Sequence, residues 1–260
     1  MKRSPSSHKG ENGKVAIIGG SRYMHGAPIF SALATEASGV DLIYVVIPDW
    51  HENTAKGYSP NFQVCPFATD DDLCYADVES ILGLLATMDC AVLGPGVNHA
   101  NEESIASLIQ IIEGASCSLV LDAAALQPDT LKAIKGKNAV LTPHLGELER
   151  MKLTEKDMEK SAKTSGATIL LKGEKDIIVG PNNKEEIKGG NAGLTVGGTG
   201  DVLAGLICGL MAQKMEAFEA AVLGAKIMKA AADKLEKDKG YAFTAMDVVG
   251  EIGGLVKKLN

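Results

Sequence analysis

Aromatic residues are scarce in this chain. They make up 4% of its 260 residues, and tryptophan occurs once. That scarcity argues against a surface that stacks unpaired bases, as single-strand and RNA binders do. Positive charge is also short: 26 lysines and arginines stand against 33 aspartates and glutamates, a formal net charge of −7. No global basic field is available to hold nucleic acid or an anionic membrane. An anionic ligand would have to be held locally, by amides, a few lysines or a metal ion. The cysteines Cys65, Cys74, Cys90, Cys117 and Cys208 include no C-x-x-C pair. Such an odd, scattered set reads as reduced thiols of a cytoplasmic protein, not as a disulfide or zinc framework. No apolar run approaches a membrane span in length. The opening MKRSPSSHKGENG lacks the apolar segment of a signal peptide. Residues 1–13 are expected to form a flexible tail ahead of a single domain over 14–260.

Two nucleotide signatures are missing as well. There is no G-x-x-x-x-G-K-[ST] loop, and GGSRYMHG after the first apolar run has the wrong spacing for G-x-G-x-x-G. A P-loop NTPase and an ordinary NAD-dependent dehydrogenase are thereby disfavoured.

What is present is a rhythm of short apolar runs: VAIIGG, DLIYVVIP, AVLGPG, SLVLDA, AVLTPH, TILLKG and DIIVG. Continuous rather than alternating apolarity predicts strands buried on both faces. Between them lie helical patterns, GAPIFSALATEASG, DLCYADVESILGLLATM, EESIASLIQIIEG and TEKDMEKSAKTSG. That alternation predicts an α/β fold with a mainly parallel sheet covered by helices on both sides. From Asp201 onward the pattern is helical, with Gly205 and Gly209 one turn apart inside the first helix. Glycines there predict a backbone packed tightly on a neighbour, since each costs about 1 kcal/mol against alanine. A second helix is expected over roughly residues 217 to 235.

The stretch NAGLTVGGTGDVLAG, Asn191 to Gly205, places three glycines and a threonine before a helix start and adds Asp201. Free amides at a helix start suit an anion. Asp201 is then either a carboxylate with a chemical task beside that anion or an N-cap.

Taken together, the loops resemble one family, the ADP- or ATP-dependent NAD(P)H-hydrate dehydratases of the ribokinase-like superfamily. GGSRYMHGAP is similar to its G-S-x-x-Y-x-G-A loop, GPGV to its G-P-G turn and LTPHLGE to its T-P-H-x-G-E segment. LLKG resembles its L-K-G strand end, GGTGDVLAG its closing G-T-G-D-V-L-A-G, and AMDVVGEI its C-terminal helix. The resemblance implies a ribokinase-like three-layer α/β/α sandwich. It also implies a repair reaction, in which phosphoryl transfer to the C6 hydroxyl of hydrated NADH or NADPH is followed by loss of phosphate. Asp201 would be the catalytic base and would touch substrate with Ala27, Gly96 and His144. Lys172, Gly173, Glu174, Lys175, Asp176 and Gly200 would hold ADP or ATP. Gly198, Thr199 and Gly200 would form the anion hole, and Mg2+, on ligands the resemblance does not name, would neutralise phosphate charge. A homo-oligomer is implied.

Plainer readings stand beside these. Ala27 and Gly96 could be helix-start and turn residues, His144 a solvated loop histidine, Lys172 a surface lysine and Glu147 a helix cap. One departure is visible: where the family has D-A-D-A-L, this chain has DAAAL, with Asp122 kept and alanine at 124. Ala124 is expected to face the cleft. A small-molecule kinase of the same superfamily, whose product keeps the phosphate, and a binder without turnover are the alternatives.

Overall fold

The structure is a computed structural model that describes residues 3–259. Its centre is a nine-stranded sheet in the order β3-β2-β1-β4-β5-β6-β7-β8-β9. The strands are β1 Lys14–Ile18, β2 Leu42–Ile47, β3 Phe62–Pro66, β4 Cys90–Leu93, β5 Ser118–Leu121, β6 Ala139–Leu141, β7 Thr168–Leu171, β8 Asp176–Val179 and β9 Lys184–Ile187. The pairs from β3 through β7 are parallel, and β8 and β9 add antiparallel. All seven apolar runs are strands. Two strands lack that signal: β3 reads FQVCP at the sheet edge, and β9 reads KEEI, three of whose four residues are not buried. An edge strand needs apolar side chains on fewer sides, so its sequence carries little of the buried pattern.

The helices are α1 Gly26–Ser38, α2 Glu52–Tyr58, α3 Val78–Leu85, α4 Glu102–Gly114 and α5 Thr130–Ala133. They continue with α6 Leu145–Arg150, α7 Met158–Ser165, α8 Thr199–Ala212, α9 Ala217–Lys239 and α10 Ala245–Leu259. They form two layers, and β1 shows why both faces must be apolar. Val15 and Ile17 join the core beneath α1, α8, α9 and α10, whereas Ala16 and Ile18 join the core beneath α3 and α4. Alternate side chains of a strand point to opposite faces, so both must be apolar when both are covered. Expected and observed boundaries differ in four helices, among them α7, which starts at Met158 after a 3₁₀ turn over Glu155–Asp157. α3 starts only at Val78, after a 3₁₀ turn over Tyr75–Asp77. α8 starts at Thr199, two residues before Asp201, and α9 runs on to Lys239. Residues 3–13 contain no helix or strand, but the Gly10 and Asn12 amides donate to Asp41 Oδ2 at 2.9 and 3.0 Å.

α8 lies against α1 at near backbone contact. Thr35 Oγ1 donates to Gly205 O at 2.8 Å, and a Cβ on Gly205 would stand 2.0 Å from Ser31 O. Gly209 is equally confined, by Ser38. Backbone cannot yield as a flexible side chain does, so Gly205→Ala must push the two helices apart. We expect it to cost about 1–3 kcal/mol as overpacking does, despite alanine's better helix propensity. A thermal melt of the variant at or above the parent's would contradict this packing.

Candidate active site

The strand order reverses between β1 and β4, and ligands of open α/β sheets bind at such a switch point. Here Gly20 N–H donates to Pro95 O at 2.8 Å, tying the loop after β1 to the loop after β4. Gly96 has φ +72, and a Cβ there would stand 2.7 Å from Met24 O and 3.1 Å from Ala27 Cβ. Only glycine lets the loops close this far. Ala27 and Gly96 are thus brought together, as their shared expected role requires.

The helix start of α8 stands beside this junction. Gly198, at φ +97, is its N-cap, and a Cβ there would press on the Phe30 ring at 2.7 Å. Asp201 is therefore the third residue of the helix and not its cap, which removes the plainer reading of it. Among the described residues the amides of Gly198, Gly200 and Asp201 donate to no protein acceptor, while Thr199 N–H reaches Val196 O only at 3.5 Å. Thr199 Oγ1 also turns inward, donating to Leu194 O at 2.7 Å and Val196 O at 3.0 Å. The free donors at this N-terminus are thus Gly198 and Gly200, as expected, joined by Asp201's own amide, while Thr199 is spent on the turn.

Four charged side chains meet behind these amides. Lys172 Nζ lies 2.8 Å from Asp122 Oδ1 and 3.5 Å from Glu147 Oε2. A Cβ on Gly200 would be 3.4 Å from the same Nζ, so the ammonium faces the anion site. Asp122 is only 3% exposed and also accepts from Thr142 Oγ1 at 2.8 Å. Lys172 is thus no surface lysine. Burial works to lower its pKa, but Asp122, Glu147 and Asp201 more than offset this and hold it above the usual lysine value. Asp201 is pushed the other way from a normal carboxyl, to about 7. Burial is the main cause, Asp122 and Glu147 add to it, and Lys172 opposes it. A carboxylate with that pKa is matched to taking a proton near neutral pH.

The cluster sits between two clefts. One, of about 490 Å3, is lined by Gly96, Ala124, Glu147 and Arg150 and by the loops at residues 21–24, 71–72 and 97–99. The other, of about 690 Å3, is lined by Lys172, Gly173, Glu174, Asp176, Thr199 and Gly200 among others. Lys175 does not line it. That side chain turns out to Glu186 at 2.9 Å. Lys229, on α9, does line it and was not singled out from the sequence. Its buried ammonium donates to Gly173 O at 3.2 Å and Glu174 O at 3.0 Å, fixing the loop after β7. The available signal was register: Lys229 falls one turn from Ala225 and next to Met228 on the apolar face, whereas Lys226 between Ala225 and Ile227 faces out to Glu185.

His144 caps α6. Its Nδ1 accepts from Glu147 N–H at 3.2 Å, and Glu147 Oε2 accepts from His144 N–H at 2.9 Å. Its side chain is 57% exposed and lines neither cleft. The capping expected of Glu147 is present, and the same buried carboxylate also faces Lys172. Ala124 lines the first cleft but is 3% exposed, within a 3₁₀ turn over Ala123–Ala125. It faces the cleft as expected, but a carboxylate there would be largely desolvated. Among the described residues no three His, Cys, Asp or Glu side chains stand close enough to cage a metal ion. Mg2+ needs no such cage when phosphates supply most of its ligands, and Asp122 and Glu147 are the carboxylates next to the phosphate site.

A sequence model described as NAD(P)H-hydrate dehydratase matches residues 15–253. The ADP-dependent (S)-NAD(P)H-hydrate dehydratase of Nitrosopumilus maritimus is 36% identical, over 98% of this chain and 92% of that one. A Bacillus subtilis ADP/ATP-dependent NAD(P)H-hydrate dehydratase co-crystallised with ATP and Mg2+ superposes with a TM-score of 0.78 at 22% identity, covering 100% of this chain and 94% of that one. Thermotoga maritima ribokinase superposes at 0.64 with 13% identity, over 94% and 99%. These two likenesses speak to the fold, which is ribokinase-like.

Proposed function

The chain belongs to the NAD(P)H-hydrate dehydratase family, and from that premise we propose that it catalyses the nucleotide-dependent dehydration of (S)-NAD(P)H hydrate to NAD(P)H. The observation that carries the mechanism is Asp201, its carboxyl raised to about 7, in the first turn of a helix whose start lines the cleft of Lys172 and Gly173, while Glu147, 3.5 Å from Lys172, lines the other cleft. The adenine nucleotide occupies the cleft of Lys172, Gly173, Glu174 and Asp176, with its terminal phosphoryl group on the amides of Gly198 and Gly200. ADP is the donor that the 36%-identical relative's name supports. The hydrated dinucleotide enters past Ala27 and Gly96.

Asp201 takes the proton of the C6 hydroxyl as that oxygen bonds to phosphorus and the bond to the nucleotide's bridging oxygen breaks. The amides and Lys172 hold the charge that builds on the phosphoryl oxygens, where most of the stabilisation in such transfers arises. Phosphate is a better leaving group than hydroxide. The ring nitrogen's lone pair expels it, and loss of a C5 proton restores the dihydropyridine. Mg2+, when bound with the nucleotide, supplies further neutralisation beside Asp122 and Glu147. The five free cysteines support a reducing compartment such as the cytoplasm.

The test incubates the protein with Mg2+, ADP or ATP and hydrated NADH, following absorbance of the reduced nicotinamide together with inorganic phosphate. Absorbance should return with one phosphate released per ring restored. A phosphorylated product without that absorbance would instead mark a kinase. Tight nucleotide binding with neither product would mark a binder.

A further inference from the structure

Resting on the proposed function, we infer that the outer wall of the dinucleotide cleft, Asp71 and Asp72 with Arg22, makes this chain prefer hydrated NADH over hydrated NADPH. The reacting ring must lie near Asp201, and hence at the end of the cleft lined by Glu147 and Ala124. The rest of the dinucleotide is longer than the ring and runs outward, toward the loops that carry Arg22, Asp71 and Asp72. NADPH differs from NADH only by a phosphate on the adenosine ribose. Proteins that accept that phosphate present an unspent cation to it, whereas proteins that select the free 2′-hydroxyl present a carboxylate.

This wall presents carboxylates. Among the described residues Arg22 is the cation on these outer loops, and its Nη1 donates to both Asp71 oxygens, at 2.8 and 2.9 Å, whereas Arg150, the other arginine lining the cleft, is anchored at the ring end, where its Nη1 donates to Ala123 O at 2.9 Å. The Arg22 guanidinium lies 5.1 Å from the centre of the Trp50 ring, which holds it in that pose. Among the described residues no cation pairs with Asp72. Its Oδ2 accepts from the side-chain amides of Asn98 at 3.0 Å and Asn101 at 3.2 Å. Its Oδ1 is buried and accepts no hydrogen bond among the described residues. Arg22 against two aspartates leaves the wall one negative charge in excess. A 2′-phosphate would meet that excess, whereas a ribose hydroxyl, after a small rotation of the Asp72 carboxylate, donates to the acceptor now without a partner. Arg22 and Asp71 are close to half exposed, so the repulsive part of the preference is screened by salt.

The experiment measures kcat/KM for hydrated NADH and hydrated NADPH at low and at high ionic strength, and binding of intact NADH and NADPH by calorimetry. The expected preference is about tenfold or more for NADH hydrate at low salt, shrinking at high salt. Asp72→Asn and Asp71→Asn should each narrow it, chiefly through KM for NADPH hydrate, with ADP affinity and melting temperature unchanged. A ratio at or below one in the parent, or a ratio unmoved in both variants, overturns the inference. Absence of turnover with either hydrate would overturn the proposed function instead. If Asp72→Asn melts lower, Asp71→Asn, whose carboxylate bonds only the exposed Arg22 side chain, decides the matter.

Discussion

Asp201→Asn should lower turnover by about two to four orders of magnitude, the usual contribution of a positioned general base, and leave nucleotide affinity within about threefold. Asparagine keeps the shape and the helix position but cannot take the hydroxyl proton. The parent's rate should rise with pH through an apparent pKa near 7, because only the ionised Asp201 is a base and its pKa is about 7. That rising limb should vanish in the variant.

Stability should move in the opposite direction. An aspartate ionises near 3.8 in the unfolded chain but near 7 in the folded one. The folded state therefore holds a proton that the unfolded state has lost between those values, and the parent loses stability as pH climbs from about 4 to about 7. The loss is about 1.4 kcal/mol for each pH unit crossed. Asparagine carries no such penalty. Asp201→Asn should melt higher than the parent at pH 8 and close to it near pH 4. A variant that is inactive and also less stable at pH 8 would show that Asp201 holds the fold and that its loss of rate is indirect.

Lys172→Ala should be the most destabilising change in the site. It removes the ammonium that stands 2.8 Å from Asp122 and 3.5 Å from Glu147, both at most 5% exposed. Breaking a buried pair by deleting one partner costs about 3–5 kcal/mol, because the remaining charge is left without compensation. Nucleotide affinity should fall by about tenfold or more, a loss of at least about 1.4 kcal/mol, since the ammonium faces Gly200 and the phosphate site. Denaturant melts at pH 8 and calorimetry with ADP check both parts. Equal stability of variant and parent at pH 8 would mean that the cluster is not charged as drawn.

Most of the sheet could be read before folding because a strand covered on both faces must be apolar throughout. VAIIGG and AVLGPG satisfied that rule, and β3 and β9 escaped it by lying at or near the edges. Gly205 and Gly209 announced a tight helix contact through their cost in a helix, though not that α1 was the partner. The site was legible where the residue type itself carries chemistry: the glycines around Thr199, Asp201, and the order of the loops in the family resemblance.

Three things were decided only in three dimensions. Thr199 is spent on its own turn and Lys175 on Glu186, since a loop's sequence does not say which way its side chains face. Lys229 reaches the loop after β7 from a helix 56 residues on, a distance no local pattern spans. Asp201's pKa is set by burial and by Asp122, Lys172 and Glu147, which come from three segments separate from its own. The sequence by itself determined which groups the chain has and where along it they stand. The tertiary structure decided their charge and basicity, because those depend on distance and exclusion of water, and both exist only once the sheet has brought its strand ends together.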